Sequence, residues 1–248
     1  MTDLPGTPSD EVDEILATGR SGATTIYASM ATRHPDGADA AYLAWHTLDH
    51  RPEQYRLASL RSSIRLASTP ACRAARAASH DHLDATDHVM TYFFADMNGL
   101  AGFVDLSTAL RDAGRTPFVL PPVERGAYVV RERRSVPRAK IGADVLPWFP
   151  ASGAYLLVER GDATVDDLVD VPGVVGAWSA VAVEADPGVS TAEVGQRITY
   201  CFLDDDPVAT AGRFRPVLER RWEGGGVAPL LAAPFHAVVP GEWDRYVP

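Results

Sequence analysis

The run Trp45-His46-Thr47-Leu48-Asp49-His50-Arg51-Pro52-Glu53 places two imidazoles and a carboxylate within five residues. His46 and His50 are four apart, so on a helix they share a face, and Asp49, three from His46, adjoins it. An imidazole there can act as acid and base near neutral pH, with Asp49 to orient it. Pro52 disfavours a helical Arg51, which predicts that His50 ends the helix, where the dipole favours its cation. A structural alternative stays open: Trp45 packs, and His46 with Asp49 or Glu53 forms a polar cap. Two histidines at this spacing can also share a metal, but no third ligand has a diagnostic spacing, and no metal is expected.

Further candidates to bind a ligand are Tyr27, Arg65 and Tyr92, on strand-like runs that can line a cavity, although aromatic residues on strands also pack. His88 follows His80-Asp81-His82 in a long segment, 71–88, that reads as disordered or as a lid. The second half holds a single histidine, His236.

The elements that must position these residues repeat. Thr91-Tyr92-Phe93-Phe94-Ala95-Asp96 resembles Thr199-Tyr200-Cys201-Phe202-Leu203-Asp204, 108 residues on. Around the first copy lie strands over 23–30, 60–68 and 126–132 and helices over 38–55 and 100–113, in the order βαββαβ. Around the second lie strands over 153–159, 174–183 and 232–239 and helices over 164–169 and 208–222, in the same order. The expected fold class is α+β, with two tandem ferredoxin-like units in a dimeric-α/β-barrel-like arrangement within one chain. Residues 1–20 read as an N-terminal extension, 21–134 as unit 1, 135–152 as a Pro- and Gly-containing linker, and 153–248 as unit 2.

The run Trp45, His46, His50, Pro52, Glu53 resembles the W-H-x-x-x-H-x-P-E signature of EthD-like proteins in the dimeric α/β-barrel superfamily. In that group a Pro-Gly-Phe commonly follows; here the stretch is Leu57-Ala58-Ser59-Leu60. The resemblance implies a cavity between sheet and helices for a hydrophobic or aromatic small molecule. It also implies proton-transfer chemistry such as cyclisation, isomerisation or decarboxylation. A non-catalytic binding protein is the alternative, with a cofactor-free monooxygenase less favoured. Chlorite-dismutase-like proteins also combine two such units, which makes haem ligation by His236 a minor possibility.

Composition narrows the field. With 33 acidic and 23 basic residues the net charge is −10, which disfavours nucleic acid and anionic membranes as partners. No apolar run reaches the roughly 20 residues of a membrane span. Cys72 and Cys201 are too few for a disulfide framework and read as buried. Gly224-Gly225-Gly226 lacks a following Lys-Ser/Thr, so ATP and NAD are disfavoured and no cofactor is expected. The N-terminus lacks a signal pattern, which gives a cytoplasmic expectation. A monomer or a homodimer is expected, since duplication can supply both halves of a barrel.

Overall fold

The computed structural model describes residues 4–12, 19–186 and 188–247, without the side chain of Asp81. Part of the expected 1–20 extension lies outside them. Within it, Asp10 accepts bonds from the Ser135 hydroxyl and the Ala143 amide.

The first half contains β1 (Thr25–Ala31), α1 (Asp39–Trp45), a π turn (His46–His50), α2 (Arg51–Gln54) and β2 (Leu60–Ala67). It continues through α3 (Pro70–Ala74), β3 (Ala78–Ser79), β4 (His88–Phe94), α4 (Gly99–Asp112) and β5 (Pro122–Ser135). The second half contains β6 (Gly153–Gly161), α5 (Asp166–Val169), β7 (Val174–Ala182), β8 (Arg197–Leu203), α6 (Pro207–Glu223) and β9 (Val227–Ala237). The fold is mixed α+β around one large antiparallel sheet.

Strand order is β2-β4-β1-β5-β7-β8-β6-β9, and β2 pairs again with β9 through Leu66–Ala237 and Ala67–His236. Eight strands therefore close on themselves, with β3 appended to β9 at Ala78–Ala232 and Ser79–Leu231. Closure removes the sheet edges that would otherwise invite aggregation. Each half lies in the order second–third–first–fourth strand. Thr91 and Thr199 sit on the third strand of their halves, and the hydroxyls of Thr91 and Tyr200 meet at 2.8 Å.

Alternation along the strands sends one set of side chains inward and the other outward. Ile26, Ala28, Met30, Phe93, Tyr128, Leu156, Trp178, Tyr200 and Phe235 fill the interior as one core. These side chains fill the interior except beside the β2–β9 seam, where a depression reaches Ile64, Leu66, Ala154 and Phe202. Leu83 enters the core at the Met30 and Val89 end, brought there by the segment between β3 and β4. This corrects the reading of 71–88 as a disordered segment or a lid: Thr69 caps α3 by accepting from the Cys72 amide, and the segment plugs a barrel mouth. At the other end Ala139, Ala143 and Leu146 join the same core, and the Trp178 indole donates to the Ala143 carbonyl at 2.6 Å. The Pro- and Gly-containing stretch before β6 is packed in place.

The helix over 38–55 also departs from expectation. It does not stop at His50: Arg51 is helical (φ −65°, ψ −41°) and α2 runs on through Pro52. A proline ring clashes with the carbonyl four residues back in a regular α-helix, and the wider π turn just before it opens that spacing. His50 thus lies inside the helical run, away from any terminal dipole.

Truncating Leu83 to Ala should cost about 2–5 kcal/mol, as for other fully buried leucines. Leu48→Ala, on an exposed side chain, should cost less than about 0.5 kcal/mol. Denaturant unfolding of both checks this, and a Leu83→Ala loss no larger than that of Leu48→Ala would show that the segment is not a packed plug.

Candidate functional site

Tyr42, His46, His50 and Gln54 form a stripe spaced by four. In a regular α-helix such a stripe drifts by about 40° per step, because a turn takes 3.6 residues. The π turn removes much of that drift, so all four residues line one cavity of about 300 Å³. The opposite wall is the outer face of the sheet: Tyr27 and Ser29 of β1, Arg65 of β2, and Met90 and Tyr92 of β4. Phe103 and Arg111 of α4, Thr116, Phe118 and Arg125 complete the lining.

Aromatic rings make most of the wall. The Tyr92 and Phe103 rings lie 4.7 Å apart, Tyr27 and Phe103 5.4 Å, and Trp45 and His50 5.0 Å. Offset rings at these separations pack favourably and leave a rigid apolar slot. A second depression of about 400 Å³ lies near the β2–β9 seam, beside Arg51, Trp148 and Phe149. It presents no imidazole, so the chemistry points to the first.

Five buried polar atoms without a protein partner belong to the cavity lining: His46 Nδ1, His50 Nδ1, Gln54 Oε1, Arg65 Nε and Thr116 Oγ1. Buried polar groups are normally satisfied, so such a cluster marks where a ligand or water would bond. His46 Nε2 lies 3.2 Å from the Tyr92 hydroxyl and its ring 5.4 Å from that of His50. Burial, reinforced by the charges of Arg65 and His50, holds the His46 imidazole well below its ordinary range, so it is neutral at pH 7. Burial and Arg65 also lower His50, against a smaller opposing effect of Asp49. Gln54 Nε2 donates to His50 Nε2 at 3.0 Å, which puts the proton of a neutral His50 on Nδ1. Burial pushes the Tyr92 phenol far above its ordinary value, so it keeps its proton.

Of the residues singled out in the sequence, Tyr27, Trp45, His46, His50, Arg65 and Tyr92 meet around this cavity. Two do not join them. Asp49 was expected to orient a histidine; its Oδ2 instead accepts from Arg115 at 2.9 Å, alongside the Arg115–Glu53 pair at 3.0 Å. The turn carries Asp49 past the histidine face toward that exposed arginine. His88 lies behind the Tyr42 ring and bonds through Nε2 to Asp39 Oδ1 at 2.7 Å, both side chains being almost fully buried. Burial lowers His88 despite that carboxylate, while Asp39 is lowered because bonds from His88 and the His34 amide outweigh its own burial. A neutral imidazole donating to a carboxylate fits both shifts and anchors the start of α1. Tyr42, Gln54, Phe103 and Phe118 were missed. The four-residue stripe could have revealed Tyr42 and Gln54, whereas Phe118 follows Pro117 in a loop without a pattern.

About nine tenths of the chain superposes on known structures of low sequence identity. An anthrone oxidase-like protein shares 12% identity at a TM-score of 0.50, covering 89% of this chain and 94% of that one. A provisionally named chlorite dismutase shares 9% identity at a TM-score of 0.55, covering 90% and 99%. The chain shares its fold with these two proteins. No protein-family model and no curated protein matches the sequence.

In this barrel the two outer faces differ. Under α6 the space is filled: Tyr155 stacks on Phe214 at 4.1 Å, with Leu157, Cys201 and Leu218 around them. His236 lies on β9 with its ring 6.4 Å from that of Tyr246. Among the described residues no group of three or more His, Cys, Asp or Glu is placed to hold a metal ion, and no helix is long and apolar enough to cross a membrane.

His46, His50 and His88 all have pKa values below the ordinary 6.5 in the folded state. On acidification the unfolded chain takes up their protons first, so their stabilising effect is complete above about pH 6.5 and is lost as pH falls below it. The melting temperature should drop between pH 7 and pH 5, and His46→Gln should flatten that drop. Calorimetric scans across this window check it; a melting temperature that rises on acidification would contradict the neutral buried histidines.

Proposed function

We propose that this chain is a small-molecule enzyme in which His46 moves a proton on a hydrophobic or aromatic substrate held in the first-half cavity. The observation that carries the reading is His46 itself: neutral, buried, paired with Tyr92 through Nε2, and without a partner at Nδ1. If Nε2–H donates to the Tyr92 oxygen, the lone pair lies on Nδ1. That nitrogen takes a proton from an acidic C–H of the substrate, and the bonding pair stays behind as an enolate. The resulting imidazolium returns its proton at a second position, or a bond elsewhere in the substrate breaks or forms from the enolate. Isomerisation and cyclisation pass through this step, whereas decarboxylation forms the enolate by loss of carbon dioxide and shares only the later protonation of carbon.

The fold supports a small-molecule site without fixing the reaction. The EthD-like assignment rests on Trp45, His46, His50, Pro52 and Glu53, of which Trp45, His46 and His50 line the cavity. The matching strand orders of the two halves support two tandem ferredoxin-like units, with 21–134 and 153–248 as their extents and a site kept in only the first. A cavity that binds without catalysis is the competing outcome.

Deuterium uptake by β-tetralone, an aromatic ketone with an acidic C–H, provides the test. Wild-type protein in deuterated water should accelerate exchange over buffer, and His46→Gln should lower the rate by about 10²–10⁴-fold with little loss of thermal stability. Asp49→Asn should leave it unchanged. Exchange unaffected by His46→Gln, or lost only in step with unfolding, would sink the catalytic role and leave binding.

A further inference from the structure

The charges around the cavity say what its ligand must carry. Arg65, on the outer face of β2, is 4% exposed. Its Nη2 donates to the Tyr42 hydroxyl at 2.7 Å and its guanidinium lies 5.0 Å from that ring's centre, while Nε has no partner. Among the described residues no carboxylate pairs with it. The acids nearby are engaged elsewhere: Asp39 by His88 and the His34 amide, Asp49 and Glu53 by Arg115. Among the described residues no acid lines this cavity, whereas Arg111 and Arg125 stand at its more exposed parts.

A guanidinium cannot shed its charge, and one removed from water without a counter-ion is strongly disfavoured. The imidazoles facing it, His46 and His50, and the phenols of Tyr42 and Tyr92 supply no negative charge. Natural chains place a buried arginine opposite a carboxylate or leave the place for one. Four of the five N–H groups of Arg65 remain free in this arrangement, and their planar fork suits the two oxygens of a carboxylate better than the single oxygen of a phenolate.

We propose that the cavity takes an aromatic carboxylate, its carboxylate paired with Arg65 and its ring held between the aromatic residues of β1, β4 and the π turn. This rests on the reading that the cavity is the ligand site, and adds the charge and class of the ligand. In a proton-transfer reaction, Arg65 would fix the substrate's acid group while His46 addresses a carbon further along the slot.

The test compares β-naphthoate with β-naphthamide, a neutral partner of nearly the same shape, by isothermal titration of the full chain. Wild-type protein should bind the carboxylate at least about tenfold more tightly, a difference of roughly 1.4 kcal/mol. Arg65→Met should remove the preference, and Arg65→Lys should keep part of it. The melting temperature of unliganded Arg65→Met should be unchanged or higher, because no protein ion pair is lost. Equal affinities in wild-type protein overturn the carboxylate proposal while leaving the cavity as a ligand site. A preference that survives Arg65→Met overturns it too, as does an Arg65→Met that no longer folds, which would mark Arg65 as structural. Failure of both probes to bind wild-type protein overturns this proposal together with the reading beneath it.

Discussion

Each of the eight barrel strands has a hydrogen-bonding neighbour on both sides, and the last two are satisfied at a seam where Leu66 and Ala67 meet Ala237 and His236. Closure at that seam gives the sheet a true inside. Once inside, alternate side chains of all eight strands share one core, and segments from between β3 and β4 and from before β6 seal its ends with Leu83 and Leu146. That packing leaves the histidine-lined cavity on the outer face of the sheet.

The outward faces then have to be covered, and the two halves cover theirs differently. The second uses a long helix whose Phe214 and Leu218 reach Tyr155 and Leu157 and close the space. The first uses a shorter helical run widened by a π turn, with α4 set beside it, and a slot remains. Pro52 is central to this difference: the turn that accommodates it also aligns Tyr42, His46, His50 and Gln54 along the slot. A local backbone irregularity thus serves position and chemistry together, as π turns often do at sites.

Electrostatics within the slot follow from burial. Arg65 contributes a positive charge that depresses both histidines beside it, and Tyr92 retains its proton for want of solvation. A neutral imidazole and a neutral phenol lie beside a guanidinium with which, among the described residues, no carboxylate pairs. The same groups would be ordinary surface residues if the helix lay a few ångströms further out.

Much of this was legible in the sequence. The period-two runs and their order around Thr91 and Thr199 gave the strands, because alternation is imposed by the pleat itself and needs no distant partner. His46, His50, Trp45, Tyr27, Arg65 and Tyr92 were identifiable by type and spacing as candidates for one site. Other features depended on contacts that spacing does not encode. Asp49 shares the histidines' stretch but meets Arg115, 66 residues away, and His88 meets Asp39, 49 residues away. The absence of a carboxylate opposite Arg65 likewise cannot be read from a chain rich in acids, since it depends on where every acid ends up. The sequence alone determined the elements and the residue types that could do chemistry, through local periodicity and side-chain identity. Tertiary structure decided which of them converge, which half keeps a cavity and which charge goes unpaired, because those are properties of packing between segments far apart in the chain.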